Sequence, residues 1–398
     1  MQTAQTPLLS ISIPTYNRYE RLRELLWGLC LQITALSDAQ RAQVNIYIND
    51  NASDDDTLAV VEKFRAQYPF ITWHRNDKNL GADANVALSV ARPTGTFVWL
   101  LCDDDLPVKG AVKTILARLE ALEKATSPGE PGVGLVHLNG HHRNVEMTAI
   151  LQRQIDTRNP DVFTLPGEAF LCQFHNALLR GSTLIFRKDY ADGAFAKVHL
   201  YDYLCSPMVL ALQCLSQGPG SFIQTPLITY RENHKPWFTL WPIIDGYYLP
   251  LLVAKAVRAG LFTRQAARVF ARQRNIILRK WLFKIKKFST EMRNGVSNDP
   301  AAKANVDLWQ LILLYWHQPW FWDECIWFAL LPFPAIEWLL KHSPIKNHLP
   351  TPYAIWLTLK NRLKNRKKTT PAHLKLQEHL QSLQAQLDTL EDVPAKVA

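Results

Sequence analysis

Four times in the first stretch of about 110 residues, an apolar run breaks into a polar cluster and then into a stretch with helical periodicity. Leu8 to Ile13 reads as a buried strand stopped by Pro14; Thr15 to Arg18 is a polar turn, and a helix runs from about Arg21 to Leu31. Val44 to Ile48 is a second strand, leading through Asn49 to Asp56 into a helix over Thr57 to Gln67. Ile71 to His74 is a third, followed by a loop to Gly81 and a helix from Ala82 to Ala91. Phe97 to Leu101 is a fourth; it runs into Asp103-Asp104-Asp105 and a helix over Val108 to Leu122. This alternation demands parallel strands joined by right-handed crossovers, an α/β fold with a sheet flanked by helices. Ligands of such sheets bind beyond the carboxyl ends of the strands. Thr15 to Arg18, Asp50 to Asp54, Asn79 to Asn85 and Asp103 to Asp105 all fall at such ends.

Three consecutive carboxylates repel one another. A divalent cation that also holds a phosphate turns that repulsion into binding energy. The competing reading is a solvated acidic turn that caps the helix after it. Four polar clusters meeting on one sheet edge favour the first.

The motifs Ile11-Ser12-Ile13-Pro14-Thr15-Tyr16-Asn17-Arg18, Asp50-Asn51-Ala52-Ser53-Asp54, Asn79-Leu80-Gly81 with Asn85, and Asp103-Asp104-Asp105 together resemble the family 2 glycosyltransferases of GT-A fold. The bare Asp triplet after an apolar strand resembles the bacterial branch that builds O-antigen and other surface polysaccharides. The resemblance is strong over residues 8 to 125 and weak over 126 to 235. It implies a Rossmann-like mixed sheet, a nucleotide-diphosphate sugar donor with a lean to UDP or dTDP, and Mg²⁺ or Mn²⁺. Pro14, Thr15, Tyr16, Asn17 and Arg18 would line the nucleotide pocket. Asp50, with Asn51 beside it, would accept a hydrogen bond from the base, and a carboxylate, being an acceptor only, suits the N3 hydrogen of uracil or thymine. Gly81 and Asn85 would let the backbone approach the nucleotide. Asp103 and Asp104 would face the ribose and the metal, with Asp105 beside them. Members often carry Asp-x-Asp-Asp, and the first of those positions is Cys102 here, which leaves open which two carboxylates touch the metal.

Inverting transfer needs a general base for the acceptor hydroxyl. The family implies an Asp or Glu near the start of a later helix, and Asp202 fits; Glu232, Asp192 and His199 are the alternatives, as is a purely electrostatic role for Asp202 at its helix N-terminus. The Gln-x-x-Arg-Trp motif of processive members is absent, so one sugar is expected per acceptor. Ala177 to Arg187 resembles the strand beneath the family's acceptor site. Phe222 to Arg231 reads as a closing strand, placed at an edge by Pro226.

Three regions are expected: a catalytic domain to residue 235, a helical Trp-rich and basic region over 236 to 358, and a basic linker with a short heptad helix over 359 to 398. The net charge of +10 is local, since Lys255 to Lys287 holds eleven Lys or Arg and no Asp or Glu. Eight of the thirteen Trp lie at or beyond Trp281. A cationic amphipathic helix with Trp, Phe and Ile suits an anionic membrane surface and a polyprenyl-phosphate-linked glycan acceptor. A helix packed on the catalytic domain, a phosphate-binding wall or a protein interface would share that composition. The seam Leu376, Leu380, Leu383, Leu387, Leu390 suits a homodimer. No nucleic-acid module accompanies the charge, so DNA and RNA are not expected partners. The six scattered cysteines, without metal-type spacing, suit buried thiols in a reducing compartment. With neither a signal peptide nor a span of sufficient length, a cytoplasmic protein peripheral on the inner face of the plasma membrane is expected. A soluble acceptor, or a non-catalytic interaction protein on the same fold, are the other functions the sequence allows.

Overall fold

The computed structural model describes residues 6–153, 155, 161–193, 205–231, 244–273 and 313. The alternation read from the sequence is there: β1 (Leu9–Thr15), α1 (Tyr19–Thr34), α2 (Asp38–Arg41), β2 (Val44–Asp50), α3 (Thr57–Gln67), β3 (Ile71–Arg75), α4 (Ala82–Ala91) and β4 (Phe97–Leu100). Then come β5 (Leu106–Pro107), α5 (Ala111–Ala125), β6 (Leu135–Arg143), β7 (Ile150–Arg153), β8 (Val162–Leu165), α6 (Gly167–Phe174), β9 (Leu184–Arg187), α7 (Lys188–Ala191), α8 (Ser206–Leu215) and β10 (Gly220–Arg231). Two further helices, α9 (Leu249–Arg258) and α10 (Arg264–Gln273), follow a short π-helical turn at Ile244–Tyr248.

The strands form one mixed sheet in the order β3-β2-β1-β4-β9-β6-β10-β5, with β7 on β6 and β8 on β10. The first four are parallel, and β9 runs antiparallel to both β4 and β6. This is the α/β sheet between helices that the sequence pattern demands.

Helix α1 owes its place to apolar residues at three- and four-residue spacing. Leu22, Leu25, Leu26, Leu29, Cys30 and Ile33 are all buried, and with Val112, Ile115, Leu116 and Leu119 of α5 they cover Leu9, Ile11, Ile13 and Ile46 of the sheet. On the opposite face, α4 packs on β1 and β2, and α8 packs on β9.

Three expectations change. Residues 177 to 187 do not form one strand: His175–Leu179 and Gly181–Thr183 are 3₁₀ turns, and only Leu184–Arg187 is extended. Nor does β10 lie at an edge, because it pairs with β6, β8 and β5. Pro226 is tolerated there because it sits at a bulge in the β6 register, where the β8 pairing has ended at Ile223 and the β5 pairing has yet to begin at Ile228. The helix after the Asp triplet starts later than expected, since Leu106 and Pro107 are drawn into the sheet by Thr229 and Ile228.

The chain divides into units Met1–His317 and Gln318–Ala398. Of the expected helical region from residue 236, α9 and α10 are described. Leu249 and Leu252 of α9 are fully buried, and Ala266 and Phe270 of α10 are nearly so, with α10 against α6 and α9 against α8. Thr263 adds hydrogen bonds from its N–H and hydroxyl to Glu168 of α6. The Trp-rich stretch, the basic linker, the heptad seam, Asp202, Glu232 and His199 lie outside the described residues. Among the described residues no helix is long and apolar enough to cross a membrane. Cys30, Cys102, Cys172, Cys205 and Cys214 are free thiols.

Candidate active site

Sheet register assembles the site. Thr15 pairs with Asp50 across β1 and β2, and Ser12 pairs with Leu100 across β1 and β4. Continuing that parallel register beyond β4 sets Asp103 beside Thr15, and the Thr15 hydroxyl donates to Asp103 Oδ2 at 2.8 Å. Asp50, Thr15 and Asp103 thus form a row across three strand ends.

The triplet is not a solvated acidic turn. Asp103 and Asp105 are buried, helix α5 begins only at Ala111, and its N-cap is Gly110. Each carboxylate has its own protein partners. Arg18 Nη1 lies 2.7 Å from Asp103 Oδ1 and 3.1 Å from Asp104 Oδ2. Asp105 Oδ2 accepts from the Ser182 hydroxyl at 2.6 Å and Asp105 Oδ1 from the Arg231 N–H at 3.2 Å. Ser182 Oγ also accepts from the Cys102 N–H at 3.0 Å, while its carbonyl accepts from Trp99 Nε1. Arg231 donates further to the Asp104 carbonyl, the Val145 carbonyl and Glu24. Burial pushes the Asp105 carboxyl up to about 7, with the Asp104 charge adding to it against the Ser182 and Arg231 hydrogen bonds. Burial also raises Asp103, to about 6, with Arg18 opposing. Arg18 is therefore part of the counter-charge that the sequence alone assigns to a cation.

Side chains that could hold a cation meet at one place on this edge. Cys102 Sγ and one carboxylate oxygen each from Asp104 and Asp105 lie within 4.8 Å of one another, the one such group among the described residues. Donors about 2.0 to 2.5 Å from a single ion stand at most roughly twice that apart, so these three fit a divalent cation. Both oxygens of Asp103 accept from Thr15 and Arg18, as both of Asp105 accept from Ser182 and Arg231 and one of Asp104 accepts from Arg18.

Around the β2 end, Asp50 is fully buried, and its Oδ1 accepts from the Ser53 N–H and hydroxyl. Its Oδ2 makes no hydrogen bond, although Arg75 Nη1 is 3.4 Å away. Ala52 takes a positive φ of 63° in this turn, and Asn17 one of 52° in the turn opposite. The Asn17 N–H donates to Ser53 Oγ, and Asn17 Oδ1 accepts from the Asp54 N–H, locking the two turns together. At the start of α3 the Thr57 N–H donates to Asp55 Oδ1, while the N-cap Asp56 makes no side-chain capping bond.

Gly81 has φ 85° and open space where a Cβ would be. Asn85 is placed differently from the expectation. It is buried, its Oδ1 accepting from Asn49 at 2.6 Å and Asn76 at 3.0 Å, so it braces the strand end from behind. Asn51 likewise reaches Asn79, Asn76 and the Leu80 N–H, holding the loop before α4. Tyr16 is exposed at the rim.

Sequence reasoning gave no role to Ser182, Arg231, Glu24 or Arg75. Ser182 and Arg231 contact the triplet from 77 and 126 positions away in the chain, and no local pattern announces that.

The wider similarities agree with this geometry. Residues 10–184 match the model of glycosyl transferase family 2. Abequosyltransferase RfbV of Salmonella typhimurium is 34% identical over 140 residues, covering 34% of this chain and 40% of that protein. The GalNAc(5)-diNAcBac-PP-undecaprenol beta-1,3-glucosyltransferase of Campylobacter jejuni is 27% identical over 113 residues, covering 28% of this chain and 34% of that protein. The chain thus spans less than half the length of these relatives. A Staphylococcus aureus TarS structure with UDP-GlcNAc overlaps 77% of this chain and 79% of its own at 15% identity and a TM-score of 0.48, too loosely to carry an assignment. The sheet edge with its Asp triplet lies within the stretch, residues 10–184, that is similar to glycosyl transferase family 2.

Proposed function

We propose that the protein is a metal-dependent inverting glycosyltransferase that moves one sugar from a nucleotide-diphosphate sugar to a glycan acceptor in bacterial surface-polysaccharide synthesis. The observation that carries this reading is the row Asp50, Thr15, Asp103 across three parallel strand ends, beside a cation donor set on the same edge. Asp50 receives the base, and Gly81 leaves room for the nucleotide. Thr15 and Asp103 lie on the path to the diphosphate, with Arg18 at 2.7 Å from Asp103. Asp104 and Asp105 would hold a divalent cation, which when bound would supply charge stabilisation to the departing diphosphate.

The acceptor oxygen attacks the anomeric carbon as the bond from that carbon to the diphosphate oxygen breaks, and Asp202 takes the acceptor proton. Support for Asp202 comes from its place in the sequence, just ahead of α8. Ser206, four residues on, donates to Asp83 through both its N–H and its hydroxyl, and Asp83 belongs to the first turn of α4 at the pocket edge.

A lipid-linked acceptor on an anionic membrane is part of the proposal, supported by the PP-undecaprenol in the name of the Campylobacter relative. In α10 the apolar side is used up by Ala266 and Phe270 against α6, while Arg264 and Arg268 are exposed, so contact with headgroups would be through cations there. The region boundaries near 235 and 358 and a dimer through the heptad seam stay within this proposal.

The test is transfer from a panel of nucleotide sugars with and without divalent metal. Metal-stimulated transfer should fall on the order of a hundredfold or more in Asp104→Ala. Full metal-dependent activity in that variant would sink the reading. Asp202→Asn should lose turnover while still binding nucleotide.

A further inference from the structure

We propose that Arg18 is a built-in competitor of the divalent cation: its guanidinium holds the ion's place beside Asp103 and Asp104 until a diphosphate draws it away. The cation then binds weakly alone and tightly together with the nucleotide. The inference rests on the metal-dependent reading proposed above and adds a regulation to that same site. One atom carries the contact. Arg18 Nη1 donates to Asp103 Oδ1 at 2.7 Å and to Asp104 Oδ2 at 3.1 Å, so a single positive group is shared by two carboxylates. A cation on that Asp104 oxygen would stand about 2.0 to 2.5 Å from it, and therefore within roughly 6 Å of Arg18 Nη1. Asp103 is buried and the Asp104 side chain is 15% exposed, so solvent screens that repulsion little. Either occupant of Asp104 weakens the other.

Arg18 is also built to yield. Among the described residues its guanidinium bonds through Nη1 alone, and its side chain is 29% exposed, so rotation toward solvent breaks only the contacts with the triplet. Its backbone need not follow, since the Arg18 carbonyl accepts from the Leu22 N–H at 3.0 Å and anchors the start of α1. Arg231 is the contrast. Its side chain is 3% exposed and donates to the Asp104 carbonyl, the Val145 carbonyl and Glu24, while its N–H holds Asp105. Arg231 stays when a cation enters; Arg18 leaves. Asp103 then keeps the Thr15 hydroxyl at 2.8 Å as its partner. On leaving, Arg18 gives up charge-assisted bonds to two carboxylates, and a diphosphate offers bonds of the same kind. By linkage, the factor that the nucleotide adds to cation affinity is the factor that the cation adds to nucleotide affinity.

The experiment titrates the full-length protein with Mn²⁺ alone and with Mn²⁺ plus UDP, reading unbound Mn²⁺ by electron paramagnetic resonance and correcting for Mn²⁺ held by UDP in solution. Without nucleotide, Arg18→Gln and Arg18→Met should each bind Mn²⁺ about tenfold or more tightly than wild type. UDP should raise Mn²⁺ affinity by a larger factor in wild type than in these variants, where the competitor is already gone. Arg21→Gln removes the same charge from α1 at a side chain paired with Glu24, and should bind Mn²⁺ as wild type does. Mn²⁺ affinity that is unchanged or weaker in the Arg18 variants, or that rises equally in Arg21→Gln, overturns the competition and leaves the proposed transferase untouched. So does a wild-type affinity that UDP fails to raise, a result that needs no variant to fold. Wild type that binds no Mn²⁺ under either condition overturns the inference together with the metal-dependent reading.

Discussion

Asp105 shows how much a single residue's role depends on what folds against it. Buried between Ser182 and Arg231, it is harder to ionise in the folded chain than in the unfolded one, where an ordinary carboxyl titrates near 3.8. The folded state therefore holds this proton more tightly, so the contribution to stability is fully present below about pH 4 and is lost as pH rises through about 7. Asp105→Asn carries no charge to desolvate. Without added metal, the melting temperature of that variant relative to wild type should rise between pH 5 and pH 8, and a difference that stays flat with pH would contradict the burial account. Ser182 orients Asp105 without belonging to the donor set. Ser182→Ala should weaken divalent-metal affinity by about 10- to 100-fold, read by dialysis, with the far-ultraviolet circular dichroism unchanged.

At the scale of elements, the parallel strands deliver the polar clusters to one edge, while long-range ties set the segments around them. One tie joins α4 to α8 through Asp83 and Ser206, 123 positions apart. Asp83→Ala leaves the N–H and hydroxyl of a buried Ser206 without this acceptor, which should cost about 1 to 3 kcal/mol in urea unfolding. Because the segment ahead of Ser206 carries Asp202, turnover should drop further than nucleotide affinity does. Equal losses in both would detach α8 from acceptor chemistry. The strands and the longer helices to residue 91 were readable in advance because each has one dominant period, whereas the four-residue α2 is too short to show one. The 3₁₀ turns at 175 to 183 were not, since an apolar run of that length carries no period that separates strand from turn. Pro226 misled for a related reason: its missing N–H excludes regular pairing, but a bulge satisfies that condition as well as an edge does.

For the molecule as a whole, helices α9 and α10 close over α6 and α8 and bury Leu249, Leu252, Ala266 and Phe270. Phe270→Ala should therefore cost about 3 to 5 kcal/mol, measured by urea unfolding of the full chain. A change below about 0.5 kcal/mol would mean that α10 is not packed as described. A chain ended near residue 240 would uncover this surface, so flotation with anionic vesicles is better compared between the full-length protein and a form ended beyond Gln273.

The sequence by itself determined the four parallel strands β1 to β4, the edge where the polar clusters gather and the family that edge resembles, because strand and helix periods and short motifs are local properties. Only the tertiary structure decided which partners each carboxylate of the triplet takes. Register sets Asp103 on Thr15 and Arg18, and residues from β10 and the 181–183 turn hold Asp105. Those partners come from far along the chain, and their meeting follows from how the strands pair, which no stretch of sequence around residue 103 contains.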